Sequence, residues 1–213
     1  NEGGWLEPEG EGWYVLNAPD AKWPSNAMGG SGNLAGAGRY PGVVRRVADA
    51  GHGLASHGFA HHRASEQPRD EFLADIRLAK AILEDIAGHE VRGYRAPSFS
   101  VGASNPWAFD AIAEAGYRYS SSIYPIRHDH YGMPDAPRFA HEVRPGLLEI
   151  PVATVRLLRS NWPAGGGGYF RLLPYALSRW SIRHINLRDR QPAMFYFHPW
   201  DIDPGHHVFG GGG

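Results

Sequence analysis

The chain has 213 residues, 42 % of them hydrophobic and 20 % charged, which suits one domain with a sizeable core and is short for two. A formal net charge of −1 and a pI near 6.9 leave no electrostatic footprint in the totals for nucleic acid or an anionic membrane. Cysteine is absent, which excludes disulfides, thiolate metal sites and cysteine nucleophiles, so any metal must be held by His and carboxylate.

In chain order, "WYVL" (13–16) reads as a strand, and "YPGVVRRVADAG" (40–51) as a helix with Val43, Val44 and Val47 on one face and Gly51 as its stop. "HGLAS" is a short strand that runs into a histidine cluster, "ASHGFAHH" (55–62). The clearest helix is "QPRDEFLADIRLAKAILEDIAGH" (67–89), opened by Pro68, striped by Phe72, Ile76, Leu83 and Ile86, and ended by Gly88. "VRGYR" then leads into "APSFS". "NPWAFDAIAEAG" (105–116) repeats the helical grammar, and "YRYSSSI" follows as a strand. "GLLEIPVATV" and "AMFYFH" are further strands, with a helix from about Leu173 to Ile185 between them. Residues 21–40, with five glycines and no apolar run, read as loop, and 205–213 as a tail. The alternation favours an α/β fold with mostly parallel strands. No run of about 18 apolar residues exists and the first residues lack a signal peptide, so the chain reads as soluble and untargeted, without membrane insertion.

Three constellations carry chemistry. His57 and His61 are related as i and i+4, so on a helical turn their rings share a face and can ligate one divalent ion. A chance pair is ordinary in a chain with 12 histidines, but this one follows a strand, where α/β sheets place functional loops. His62 is expected to be exposed, and His128 and His130 in "RHDHYG" to lie in a solvated loop. Arg95 ends a strand before the Pro97 turn, where it can clamp a carboxylate while the N–H groups of "PSFS" face an oxyanion; an ordinary surface arginine has the same sequence. "AMFYFH" delivers His198 at a strand end, as a general acid or base or as a bonded core histidine.

Taken in order, "GHGLASHGFAHH", "VRGYRAPSFS", "YSSSIYPIRHDHYGMPDAPRF", "LLEIPVATVRLL", "PAGGGGYFRLLP" and "FYFHPWDID" resemble successive blocks of the polysaccharide deacetylases, the NodB-homology or carbohydrate esterase family 4 group. The likeness is greatest to the branch found with bacterial exopolysaccharide clusters and covers about residues 39–204. It implies a distorted, incomplete (β/α) barrel in one catalytic domain over residues 1–204, with an atypical start up to about residue 40. It also implies a metal-dependent hydrolase that removes acetyl groups from N-acetylated sugars of a glycan, with no role for nucleic acid.

Matched residue by residue, His57 and His61 take the places of the metal-binding histidines, Arg95 that of the arginine orienting the catalytic aspartate, and His198 that of the catalytic histidine. The family's Asp-x-x-Asp pair falls on Asn17 and Asp20, so Asp20 can complete a Zn²⁺ site, whereas an amide stands where the base belongs. Trp107, Tyr124, Trp162, Tyr169 and Trp200 are candidates for sugar stacking, although most of the seven tryptophans are expected to pack in core or loops. The resemblance points to the cytoplasm or periplasmic face of a bacterium. Two other readings remain open: a sugar-binding protein on the same scaffold, which the amide at 17 favours, and an amidohydrolase for a small non-sugar amide.

Overall fold

Five parallel strands, each ending on the same edge of one sheet, carry the loops that matter here. The structure is a computed structural model and describes residues 13–15, 41–128 and 131–198. The expectations for Asn17, Asp20, the 21–40 loop, His130, Trp200 and the tail lie outside these residues. The strands are β1 (Trp13–Val15), β2 (Gly53–Ser56), β3 (Gly93–Tyr94), β4 (Tyr119–Ser120), β5 (His141–Arg144) and β6 (Leu147–Glu149). They lie in the order β1-β2-β3-β4-β6-β5, all neighbours parallel except the β5–β6 hairpin at the edge. This is the α/β, mostly parallel arrangement expected of an incomplete (β/α) barrel.

Helices α1 (Pro41–Asp49), α2 (Arg69–Ala87) and α3 (Trp107–Glu114) connect and cover these strands, with α2 packed against both others. In α2, Asp70 and Glu71 sit in the first turn, where the helix dipole favours negative charge, and Phe72, Ile76, Leu83 and Ile86 are all buried as the stripe predicts. Gly88 ends the helix at φ 73°, donating its N–H to the Glu84 carbonyl at 2.8 Å, a left-handed cap that glycine adopts without strain. The Glu84 carboxylate also accepts the Val91 N–H, and Lys80 donates to the Val91 carbonyl, so the helix end is tied to the segment entering β3.

The second half departs from the sequence reading. "GLLEIPVATV" is not one strand: β6 ends at Glu149, and β7 (Thr154–Leu157) belongs to a separate antiparallel pair with β8 (Ser160–Pro163). Pro151, which has no N–H, interrupts the ladder. The backbone bonds pass from Ile150 to Ser120, from Val152 to Ile123 and from Ala153 to Met194. "AMFYFH" is likewise not a strand of either sheet. It lies against a glycine bend, where a Cβ on Gly165 would stand 2.6 Å from the Met194 carbonyl oxygen and one on Gly166 2.8 Å from the Tyr196 ring. The predicted helix from Leu173 is α5 (Tyr175–His184), continued by a wide turn over Ile185–Asp189 and preceded by a short α4 (Gly167–Leu172). Neither "HEVR" of β5 nor "SNWP" of β8 alternates apolar with polar residues, so neither strand is legible in the sequence.

The approach of β3 to β4 is close because Gly93 lies under the Tyr119 ring, which occupies the space a Cβ would need. Gly93→Ala is therefore expected to lower unfolding free energy in urea by about 1–3 kcal/mol or more through overpacking. Gly102→Ala, at a position open to solvent within 4 Å, is expected to leave it unchanged.

Candidate active site

β2 delivers His57 to the sheet edge with only 7 % of the residue exposed. Its Nδ1 lies 2.6 Å from the carbonyl oxygen of Arg95 at the end of β3. A carbonyl can only accept, so Nδ1 carries the proton and Nε2 presents its lone pair. Burial holds the His57 imidazolium down to a pKa of about 3, with smaller repulsion from His61, Arg95 and His198, so the ring is neutral at ordinary pH. His61 is also lowered, again chiefly by burial and then by His198 and His62.

The two rings stand 4.9 Å apart, edge to face, but not because of a helical turn. Residues 57–63 are loop, and the i, i+4 meeting is made by left-handed backbone at Gly58 (φ 83°) and His61 (φ 59°). For a histidine this conformation is costly and persists only where its surroundings enforce it. Here Asp75 of α2 accepts the N–H groups of Phe59 and Ala60, both at 2.8 Å, and Ser56 Oγ accepts that of Gly58 at 3.3 Å. A Cβ at 58 would press on the Asp75 carboxylate at 2.9 Å. Asp75 is the residue that sequence reasoning missed. Its trace is visible, since it is a carboxylate set between Phe72 and Ala79 on the buried side of α2.

Arg95 is buried, and its guanidinium donates to the Ser121 carbonyl at 2.9 Å and the Ser121 hydroxyl at 2.7 Å, with Met194 Sδ at 3.9 Å. It lies 5.5 Å from the ring centroids of both Phe99 and Tyr196, and burial lowers its pKa to about 10. One arginine thus joins the ends of β3 and β4 to the segment that carries His198. His198 itself is half-buried, and its charge is felt at both His57 and His61. Glu149, also unnoticed in the sequence, is fully buried at the end of β6 and accepts the Ser122 and Ile123 N–H groups at 2.8 Å each, fixing the loop on which Ser121 stands.

The "PSFS" turn is a 3₁₀ turn over Pro97–Phe99 with Ser98 and Phe99 at φ 55° and 49°. Phe99 and Ser100 direct their N–H groups to Ala96 and Pro97 within the turn, so Ser98 is the residue whose N–H can face an oxyanion. His62 and His128 are exposed, as expected, with His128 stacked on Tyr131 at 3.9 Å. Of the sugar-stacking candidates, Tyr124 is a core residue instead and Trp107 is half-buried against the core. Tyr124 is wholly buried and donates to the Gly165 carbonyl, and Trp107 packs on Phe72 at 5.7 Å. Tyr169 is half-buried beside Tyr124, and Trp162 is exposed on β8.

Among the described residues no group of three His, Cys, Asp or Glu is disposed around one metal position. His57 and His61 supply two neutral imidazoles, one with its free nitrogen fixed by a carbonyl, and this donor set fits a divalent ion that draws a further ligand from elsewhere. Among the described residues the charges that lower the two imidazoles come from His and Arg side chains, an environment in which an acidic third ligand would be compensated.

Paired histidines at the end of a parallel strand, backed by a buried arginine from the next strand, sit on an α/β scaffold of the polysaccharide deacetylase type. Residues 26–120 match the polysaccharide deacetylase family, and residues 121–211 match a domain of unknown function, DUF3473. A protein named as a candidate polysaccharide deacetylase from Mycobacterium smegmatis superposes with a TM-score of 0.53 at 26 % identity, over 78 % of this chain and 56 % of that one. A family 4 carbohydrate esterase from Streptomyces lividans, in complex with acetate, matches at 20 % identity over 40 % of this chain and 42 % of its own, with a TM-score of 0.36. A pseudoenzyme of the same esterase family from Bacillus anthracis matches at 10 % identity over 76 % and 41 %, with a TM-score of 0.43. No curated protein matches the chain. The chain spans little more than half the length of the Mycobacterium structure. The two matched segments share one sheet, because β4 of the first pairs with β6 of the second.

Asp75→Ala removes the acceptor for two N–H groups of the histidine turn; if His57 and His61 hold a divalent ion, zinc affinity is expected to fall about 10–100-fold, the usual effect of losing an outer support of a ligand. Competition with a chromophoric zinc chelator measures it. Glu149 gives a pH prediction. Burial raises its carboxyl above the ordinary 4.5, so its proton favours the folded state, a contribution present in full below 4.5 and lost as pH rises through the folded value. Glu149→Gln keeps an acceptor for the two N–H groups and does not titrate. Its stability relative to the parent is expected to rise from mildly acidic to mildly alkaline pH in urea titrations.

Proposed function

We propose that this chain is a metal-dependent hydrolase that removes acetyl groups from N-acetylated sugar units of a bacterial exopolysaccharide. The observation that carries the reading is the His57–His61 pair, both held neutral by burial at the end of β2, with Arg95 and His198 beside it. His57, His61 and Asp20 are the residues that would hold the ion, with Zn²⁺ the best fit to two imidazoles and a carboxylate. When bound, such an ion polarises an acetyl carbonyl and lowers the pKa of water.

The residues have separate tasks. The Ser98 N–H faces the oxyanion formed as water adds to the amide carbon. His198 gives a proton to the nitrogen as the carbon–nitrogen bond breaks, releasing acetate and a free amine on the sugar. Arg95 holds the ends of β3 and β4 and the 194–198 segment in register, and its charge favours an ionised carboxylate at the site. Asn17 stands where the resemblance places the base. An amide can hydrogen-bond water but cannot take its proton, so the chain as it stands is a slow deacetylase. Residues 1–204 form the catalytic unit, a reading supported by the sheet shared between the two matched segments.

Acetate release from a panel of acetylated glycans, with and without chelator, tests the reaction. His57→Ala and His61→Ala are each expected to lose most bound metal by elemental analysis and all chelator-sensitive release. Asn17→Asp is expected to raise the single-turnover rate by about 10²–10⁴-fold, the worth of general-base catalysis, while metal affinity barely changes. Equal rates for the parent and the Asn17→Asp variant, each loaded with Zn²⁺, would overturn the assignment of position 17. Zinc uptake without acetate release from any glycan, even in Asn17→Asp, would support the sugar-binding reading instead.

A further inference from the structure

From Ile150 to Arg188 the chain holds six arginines and no Asp, Glu or Lys, in a protein whose net charge is −1. Arg156, Arg159, Arg171, Arg179, Arg183 and Arg188 are all exposed. Large apolar side chains are exposed among them. At the tip of the β7–β8 hairpin, Leu158 and Arg159 form a two-residue turn at φ 47° and 70°, a conformation that ordinarily selects Gly or Asn. Leu158 is nevertheless a leucine, and 99 % exposed. On α4, α5 and the turn that follows, Leu172 is 81 % and Leu187 69 % exposed, and an open groove beside Leu187 is lined by Arg179, Trp180, Arg183 and Arg188. The hairpin and α5 are one body, since Val155 and Ala164 pack with Ile185 in a shared apolar cluster.

We propose that this body docks peripherally on an anionic lipid bilayer. Leucine and tryptophan enter the boundary between headgroups and acyl chains, and the arginines pair with lipid phosphates. Charge complementarity selects this occupant: six exposed arginines among exposed Leu and Trp, in a stretch of chain with no Asp or Glu from 150 to 188, match an anionic apolar interface. A neutral glycan offers no negative charge for the six arginines to meet. Among the described residues no helix is long and apolar enough to cross a membrane, so the contact is at the surface. Gly165 and Gly166, beside the start of α4, pack on Met194 and Tyr196, so a docked body keeps the His198 segment close to the lipid.

Flotation of the full chain with vesicles of phosphatidylcholine alone, or of phosphatidylcholine mixed with phosphatidylglycerol, tests this. The chain is expected to float with the mixed vesicles only, and to be released by high salt. Leu158→Asp and the pair Arg179→Gln and Arg183→Gln are expected to weaken binding, the pair by roughly fivefold for each arginine, equivalent to about 1 kcal/mol apiece. Circular dichroism and zinc content should stay at parental values. No flotation, equal flotation with both vesicle types, or undiminished binding by the variants would overturn the proposal. So would variants that bind vesicles normally but lose self-association in sedimentation or lose binding to an acidic polysaccharide. None of these outcomes depends on deacetylation.

Discussion

The Nδ1–H of His57, donated to the Arg95 carbonyl at 2.6 Å, couples the two parallel strands on which the rest of the site is built. It decides the tautomer of His57 and therefore which nitrogen is available to a metal. The side chain of the same arginine reaches the other way, to Ser121 after β4 and to the face of Tyr196. Backbone and side chain of one residue thus set the histidine pair, the β4 loop and the His198 segment in a common register. Glu149 completes the support by holding the N–H groups next to Ser121. Burying an arginine and a glutamate this far is costly, and the hydrogen bonds each makes to the β4 loop offset part of that cost, the remainder showing in the raised Glu149 carboxyl.

The histidine pair has its own constraint. Left-handed backbone at His61 is unfavourable, and the loop holds it because Asp75 ties Phe59 and Ala60 to α2. The helix that contributes Phe72, Leu73, Ile76, Ala79, Leu83 and Ile86 to the apolar core therefore also positions the histidine turn. Stability and site geometry are linked through α2: its buried stripe sets where Asp75 lies, and Asp75 sets the turn.

The charge distribution is a matter of arrangement in the same way. Acidic groups are concentrated outside residues 150–188, and a net charge of −1 conceals a region that carries only arginine. Totals exclude an overall electrostatic attraction to anionic surfaces, but they say nothing of a patch, because a field at a surface is set by the nearest charges within a Debye length of about 10 Å.

Local chemistry determined much of this protein from the sequence alone. The α2 stripe, its Pro68 start and Gly88 stop, the parallel α/β character and the three blocks around His57, Arg95 and His198 depend on periodicity and on residue order, which the chain carries in itself. The tertiary structure decided what depends on partners distant in sequence. It separated "LLEIPVATV" into strands of two sheets, left "AMFYFH" unladdered against a glycine bend, and replaced the helical histidine turn with a strained loop. It also gave Asp75 and Glu149 their roles, withdrew Tyr124 from the surface and packed one side of Trp107 on Phe72. A carboxylate in an apolar stripe, or an aromatic in a loop, has one spelling whether it is buried or exposed. Which it becomes is settled by hydrogen-bond partners and packing neighbours that only the folded chain brings within reach.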